Sequence, residues 1–247
     1  MTHMKRVYEA LGNEPPDNSS SIATLEQIED RLGRPLPPAV KEWYSKENAV
    51  QIMASRTCDR PVPLSELGNA IANWYHDGPR DFLAQSRLYV MTENQGVSNW
   101  VVDLAGSDDP EVLVEVDSSP NNVWKLYSLH FSEWVYTVLI DWPPTGSSML
   151  CAQDISLADS DLAWLRDHME SGPVTYSWPC PVNYRFGRLD QRVLIWACEG
   201  QADWHISAAS EQSLRDLATK LWRLGSLSES LYSTDETGQK VLDYLRS

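Results

Sequence analysis

Apolar positions recur along this chain with two periods, one near 3.6 residues and one of 2, and the switches between them mark out its elements. From Thr24 to Asn48 the period is helical. Leu25, Ile28 and Leu32 form one stripe, Thr24 and Gln27 make a capping box before it, and Gly33 suits the stop after it. Pro38 fits the first position of a second helix, whose stripe is Val40, Trp43 and Tyr44. Two short amphipathic helices cannot bury their stripes alone, so they need a sheet.

The sheet is predicted further on. A helical pattern over Leu64 to Tyr75 and a short helix or irregular link at Asp81 to Gln85 come first. Then three segments, Leu88 to Thr92, Asn99 to Leu104 and Glu111 to Val116, are separated by the turn signals Glu93–Gly96 and Gly106–Pro110. They read as an antiparallel meander. Alternation sends Trp100, Val102, Leu104 and the valines 112, 114 and 116 to one face. It sends Asn99, Val101, Asp103, Glu111, Leu113 and Glu115 to the other, so one packed and one wet face are expected. Trp124 to Leu126 suggests a further short strand. A helix over Ser128 to Ile140 follows, striped by Phe131, Val135, Val138 and Leu139.

After this the pattern restarts. The Pro- and Ser-rich stretch at 143–149 reads as a linker. Beyond it come a helix at Asp159 to Met169 and strands at Val182 to Arg188, Arg192 to Cys198 and Ala202 to Ser207. A Ser210-capped helix then runs to about Leu224, and a last helix covers Asp235 to Leu245. The predicted organisation is therefore a mobile N-terminal segment at 1–20, a domain at 21–142, the linker, and a second unit or C-terminal extension at 150–247. The fold class is α+β, an antiparallel meander with helices on one face followed by a smaller α+β unit.

Composition narrows the functional classes. The net charge of −15 argues against nucleic-acid or anionic-membrane partners and is compatible with a basic protein partner. Eleven Trp and ten Tyr against three Phe favour core filling and partly wet positions. The cysteines at 58, 151, 180 and 198 form no CxxC pair, so no structural zinc site is expected, and they are too few for a disulfide scaffold. No apolar run has the length of a membrane helix, and the N-terminus lacks an apolar signal segment, so a cytoplasmic location is expected.

Catalytic signals are sparse. No HxxxH, HxH, GxSxG, GxGxxG or P-loop pattern occurs. Cys180 lies between Pro179 and Pro181, where a rigid loop could expose its thiol, but no basic neighbour is at hand to activate it. His205, between Trp204 and Ile206, reads as a structural or solvent-facing strand residue. No catalytic residue, metal or cofactor is expected.

Charge patterning carries more. From Leu88 to Trp124 there are seven acidic residues and no Lys or Arg. Six of them, Asp103, Asp108, Asp109, Glu111, Glu115 and Asp117, form the predicted partner-binding set, a one-sign patch on a rigid sheet that would attract a basic protein. The plainer reading is a solvated face that deters edge aggregation. Calcium binding has less support, because no DxDxDG loop is present.

The order of these motifs resembles the SUKH superfamily. The matching features are the capped helix with Gly33, Leu36-Pro37 and Trp43-Tyr44, the Glu93-Asn94-Gln95-Gly96 turn, Trp100, and Phe131-Ser132-Glu133 opening the closing helix. The likeness covers about residues 21–142; the C-terminal part resembles no family. The chain departs from the family's usual Asn-Gly after the second helix, having Asn48-Ala49, and Ala resists the left-handed backbone Gly allows. The resemblance implies a non-catalytic protein-binding module, an immunity protein in a bacterial toxin system acting by occlusion. The alternatives are a regulatory scaffold, or a small-molecule enzyme with a site between the two halves.

Overall fold

The structure is a computed structural model describing residues 2–67, 82–117, 123–142, 148–188 and 190–247. The chain divides into two units, Met1–Leu139 and Ile140–Ser247. The fold class is α+β, with one five-stranded antiparallel sheet in each unit.

The first unit opens with α1 (Lys5–Leu11) and α2 (Ser19–Leu32). The latter begins five residues before the expected cap. Asn18 is the actual N-cap, its side chain accepting from the Ser20 and Ser21 amides, while the Thr24 hydroxyl donates back to Ser20 O inside the helix. After Gly33, Pro38 starts α3 (Pro38–Tyr44), and α4 (Ala49–Ala54) follows. The left-handed residue at that junction is Asn48, with φ 57°, so Ala49 is free to be helical. Leu25, Ile28, Val40 and Trp43 are fully buried, and the Trp43 indole donates to Met53 Sδ at 3.2 Å.

Residues 2–20, read from the sequence as a mobile segment, make specific contacts with α3 and the residues after it. Met4, Val7 and Tyr8 are buried. Glu42 accepts from the His3 and Met4 amides, and the Lys46 ammonium binds Glu14 at 2.6 Å and Asp17 at 2.7 Å. Glu47 N donates to Pro16 O and Asn18 N to Ser45 O. The hold combines this short apolar stripe on α1 with polar contacts to residues 42–47, and the polar partners are what the sequence pattern could not reveal.

The sheet runs β1 (Arg60–Pro61), β2 (Arg87–Thr92), β3 (Asn99–Asp103), β4 (Val112–Asp117) and β5 (Val123–Ser128), each paired with the next. The predicted meander is therefore present, with Leu88, Val102, Val112 and Ser128 in one row. A 3₁₀ turn at Leu83–Gln85 precedes β2. The expected wet face is only partly wet: Asn99, Val101 and Glu115 are buried, whereas Asp103 and Leu113 are half-buried and Glu111 is exposed. Trp100, Val101 and Val102 are at most 2% exposed, so β3 is covered on both sides. Phe82 contributes to the cover, stacking on Tyr89 and meeting Trp124 edge-on. Helix α5 (Phe131–Ile140) closes the unit with Phe131, Trp134 and Val135 buried. The predicted helix at Leu64 to Tyr75 lies outside the described residues from 68 onward.

In the second unit the sheet order is β6 (Ser148–Ser156), β10 (Gln201–Ala208), β9 (Gln191–Cys198), β8 (Val182–Arg188) and β7 (Thr175–Tyr176). Strand β6 starts within the expected linker. Helices α6 (Asp159–His168), α7 (Glu211–Leu221), α8 (Leu227–Ser230) and α9 (Glu236–Arg246) supply the remaining elements. Leu165, Leu214, Leu217, Leu221 and Val241 join Leu150, Ile195, Trp204 and Ile206 in one core. The alternate positions of the strands carry Cys151, Asn183, Arg185, Arg192 and His205. Cys180 is not a free thiol: it is disulfide-bonded to Cys198, with Cα atoms 5.5 Å apart.

Candidate functional site

Backbone pairing draws the nominated carboxylates into different environments. The β3–β4 hairpin closes with Asp103 N donating to Glu111 O at 3.0 Å, and residues 105–108 form an exposed tip. Asp108 and Glu111 are exposed and Asp103 is half-buried. The Asp103 carboxylate accepts from Ala105 N at 2.8 Å, and Ala39 N donates to Asp108 O, fixing the tip against α3. Asp109 is turned inward. Its carboxylate accepts from Ser132 N at 2.9 Å and Ser132 Oγ at 2.5 Å, capping α5, with His3 Nδ1 4.0 Å away.

Glu115 leaves the predicted surface set. It is 1% exposed. Asn99 Nδ2 donates to Glu115 Oε2 at 2.8 Å, Tyr89 OH donates to Asn99 Oδ1 at 3.1 Å, and Ser98 Oγ donates to Glu115 O at 2.6 Å. Burial, helped by the Glu115 charge, raises the Tyr89 phenol above its ordinary pKa. Alternation assigned Glu115 the right face; the error lay in taking that face as solvated. The Asp117 side chain lies outside the described residues. The six nominated residues therefore do not form one sheet patch. Asp103, Asp108 and Glu111 stay together on the hairpin.

The second unit holds a pairing that sequence reasoning missed. Cys151 on β6 stands opposite His205 on β10, with Sγ 3.9 Å from Nδ1. The His205 ring packs 4.3 Å from Trp196, and its Nε2 is buried without a hydrogen-bond partner. Burial chiefly lowers the His205 pKa, opposed by the charges of Asp203 and Asp141. Burial likewise raises the Cys151 thiol, with Asp203 and Asp235 adding to it. A neutral thiol thus faces a neutral imidazole, and an activated nucleophile needs a thiolate. The signal was strand register, invisible before β6 was recognised.

Beside His205, the side chains of Asp141, Arg185, Arg192 and Ser207 border a cavity of about 20 Å³, room for a single water. Arg185 is 4% exposed and binds Asp141 bidentately, Nε–Oδ1 and Nη2–Oδ2 both at 2.6 Å. Arg192 Nη1 donates to the carbonyls of Ile140 and Trp142. In the first unit a groove of about 400 Å³ is bordered by Asn18, Ser21, Tyr44, Lys46, Asn48 and Gln51, and its cation is already neutralised by Glu14 and Asp17. Among the described residues no three His, Cys, Asp or Glu side chains are grouped to hold a metal ion, and no helix is long and apolar enough to cross a membrane. Comparison of the chain with protein-family models, with curated proteins and with solved structures finds no match.

Proposed function

We propose that the chain is a non-catalytic protein-binding module, an immunity protein of SUKH type that neutralises a basic bacterial toxin domain by occlusion in the cytoplasm. The observation that carries this reading is the β3–β4 hairpin. It projects Asp103, Asp108 and Glu111 on a tip anchored to α3, and residues 99–117 contain no Lys, Arg or His. Leu129, which follows Ser128, the partner of Val112, is 46% exposed and offers an apolar contact near the same end of the sheet. A rigid one-sign tip attracts a basic partner and speeds its encounter, most strongly at low salt. The SUKH resemblance over about residues 21–142 supplies the toxin-immunity context.

The test starts with isolation of the partner from the native host. Its affinity for the wild type is then compared with that for the triple variant Asp103→Asn, Asp108→Asn, Glu111→Gln. Asn at 103 keeps an acceptor for Ala105 N. At about 50 mM salt the variant should bind at least roughly tenfold more weakly, with the gap narrowing near 200 mM as screening grows. Equal affinity and equal salt dependence for the two proteins would refute the reading.

A further inference from the structure

We propose that Cys180 and Cys198 form a reversible oxidation site, a disulfide clamp whose state sets how firmly one end of the second sheet is held. This inference is independent of the toxin-binding reading. Val182 pairs with Ala197, so Cys180, two residues before Val182, and Cys198, one after Ala197, meet at the same end of the β8–β9 ladder. Their Cα separation of 5.5 Å lies within the range a disulfide spans.

Two features suit the pair to opening and closing. The first is that the loop keeps its shape by other means. The Asn183 carboxamide donates to Trp178 O at 2.9 Å and to Cys180 O and Thr175 O at 3.3 Å, and Ser177 N donates to Pro181 O. Pro179 and Pro181 restrict the backbone on either side of Cys180. Reduced thiols would therefore stay close enough to re-form the bond. The second is access: both cysteines are half-buried rather than sealed in the core, which favours exchange with a small disulfide.

Closing the clamp has a mechanical consequence. It links the 177–181 loop to the Glu199–Gly200 turn, and Leu157 N donates to Gly200 O, so the β6–α6 connection joins the same cluster. The chemistry balances with oxidised glutathione as the oxidant. The thiolate of one cysteine attacks a glutathione sulfur and releases one glutathione thiol. The second cysteine, losing its proton, then displaces the other glutathione from the mixed disulfide.

The experiment uses the full chain equilibrated in glutathione buffers from reducing to oxidising, then acid-quenched, denatured, alkylated with N-ethylmaleimide and peptide-mapped. Oxidising buffer should yield a linked Cys180–Cys198 peptide, and reducing buffer should label both cysteines. Hydrogen exchange on the native protein should show residues 175–183 and 196–202 exchanging at least tenfold faster after reduction, with the first unit and the far-ultraviolet circular dichroism unchanged. The Cys180→Ser variant should match the reduced wild type in both buffers. Labelling of both cysteines in oxidising buffer, unchanged exchange on reduction, or loss of the whole unit's protection on reduction would each overturn the proposal; the wild-type measurements suffice if the variant fails to fold.

Discussion

Single side chains decide more in this protein than their sequence neighbours reveal. A carboxylate enters an interior only if its oxygens find donors, and Asn99 serves Glu115 in that way while Tyr89 secures the Asn99 carbonyl. Such a chain of partners fixes side-chain geometry and takes the charge out of any docking surface. His205 is the titratable counterpart in the second unit, and its lowered pKa has a signed consequence. The unfolded chain protonates this imidazole near pH 6.5, whereas the folded chain holds it neutral to a lower pH. Folding therefore releases a proton in that window, and stability should fall as pH drops below about 6.5, levelling only beneath the folded pKa. Thermal melts between pH 8 and 5 on wild type and His205→Gln check this: the variant should lose part of the acid-side decline. Parallel curves would show that other groups carry the linkage.

At the scale of elements, the informative contrast lies between caps supplied locally and caps supplied from afar. Ser210 accepts from Ser213 N at the start of α7, and this was legible because cap and helix adjoin. Helix α5 takes its cap from Asp109, 23 residues away across the hairpin turn, which no local motif announces. Asp109→Ala removes both bonds and should lower stability by about 1–2 kcal/mol, read as a reduced urea midpoint at unchanged slope. Asp109→Asn should recover much of the loss, since an amide oxygen can still accept from Ser132 N. The same contrast governs what the sequence disclosed. Strand identity and face parity in the meander followed from alternation, because side chains of period 2 must segregate. Solvation of a face did not, because Phe82, from outside the strands, helps cover Tyr89 and Trp124. Strand β6 stayed hidden for a backbone reason. The ladder shifts between Ala202 and Trp204, and Asp154 has φ 52°, so polar and apolar residues in its second half lose strict alternation. The Cys151–His205 pairing was lost with it. The hairpin carboxylates were found as a group, but their separation into exposed, capping and buried roles needed the tertiary contacts.

At the scale of the whole molecule, each unit buries its own core and some charge with it, and in the second unit that charge is an ion pair. Arg185 reaches Asp141 while its Nη1 donates to Pro173 O, Thr175 Oγ1 and Asn183 O. A guanidinium so enclosed is stable only while its countercharge is present. Asp141 directly follows α5, so the chain segment entering the second unit is held by the sheet it precedes. Asp141→Ala should therefore cost about 3–5 kcal/mol, the penalty for stranding a buried charge. Arg185→Met, which fills similar space without charge, should cost less, and the double variant should be no worse than Asp141→Ala alone. Hydrogen exchange in β8 and β9 gives the local readout, with opening free energies for the two single variants and the double variant compared as a cycle. A loss below about 1 kcal/mol for Asp141→Ala, or strictly additive losses, would mean that Arg185 is satisfied by the carbonyls and Thr175 without its carboxylate.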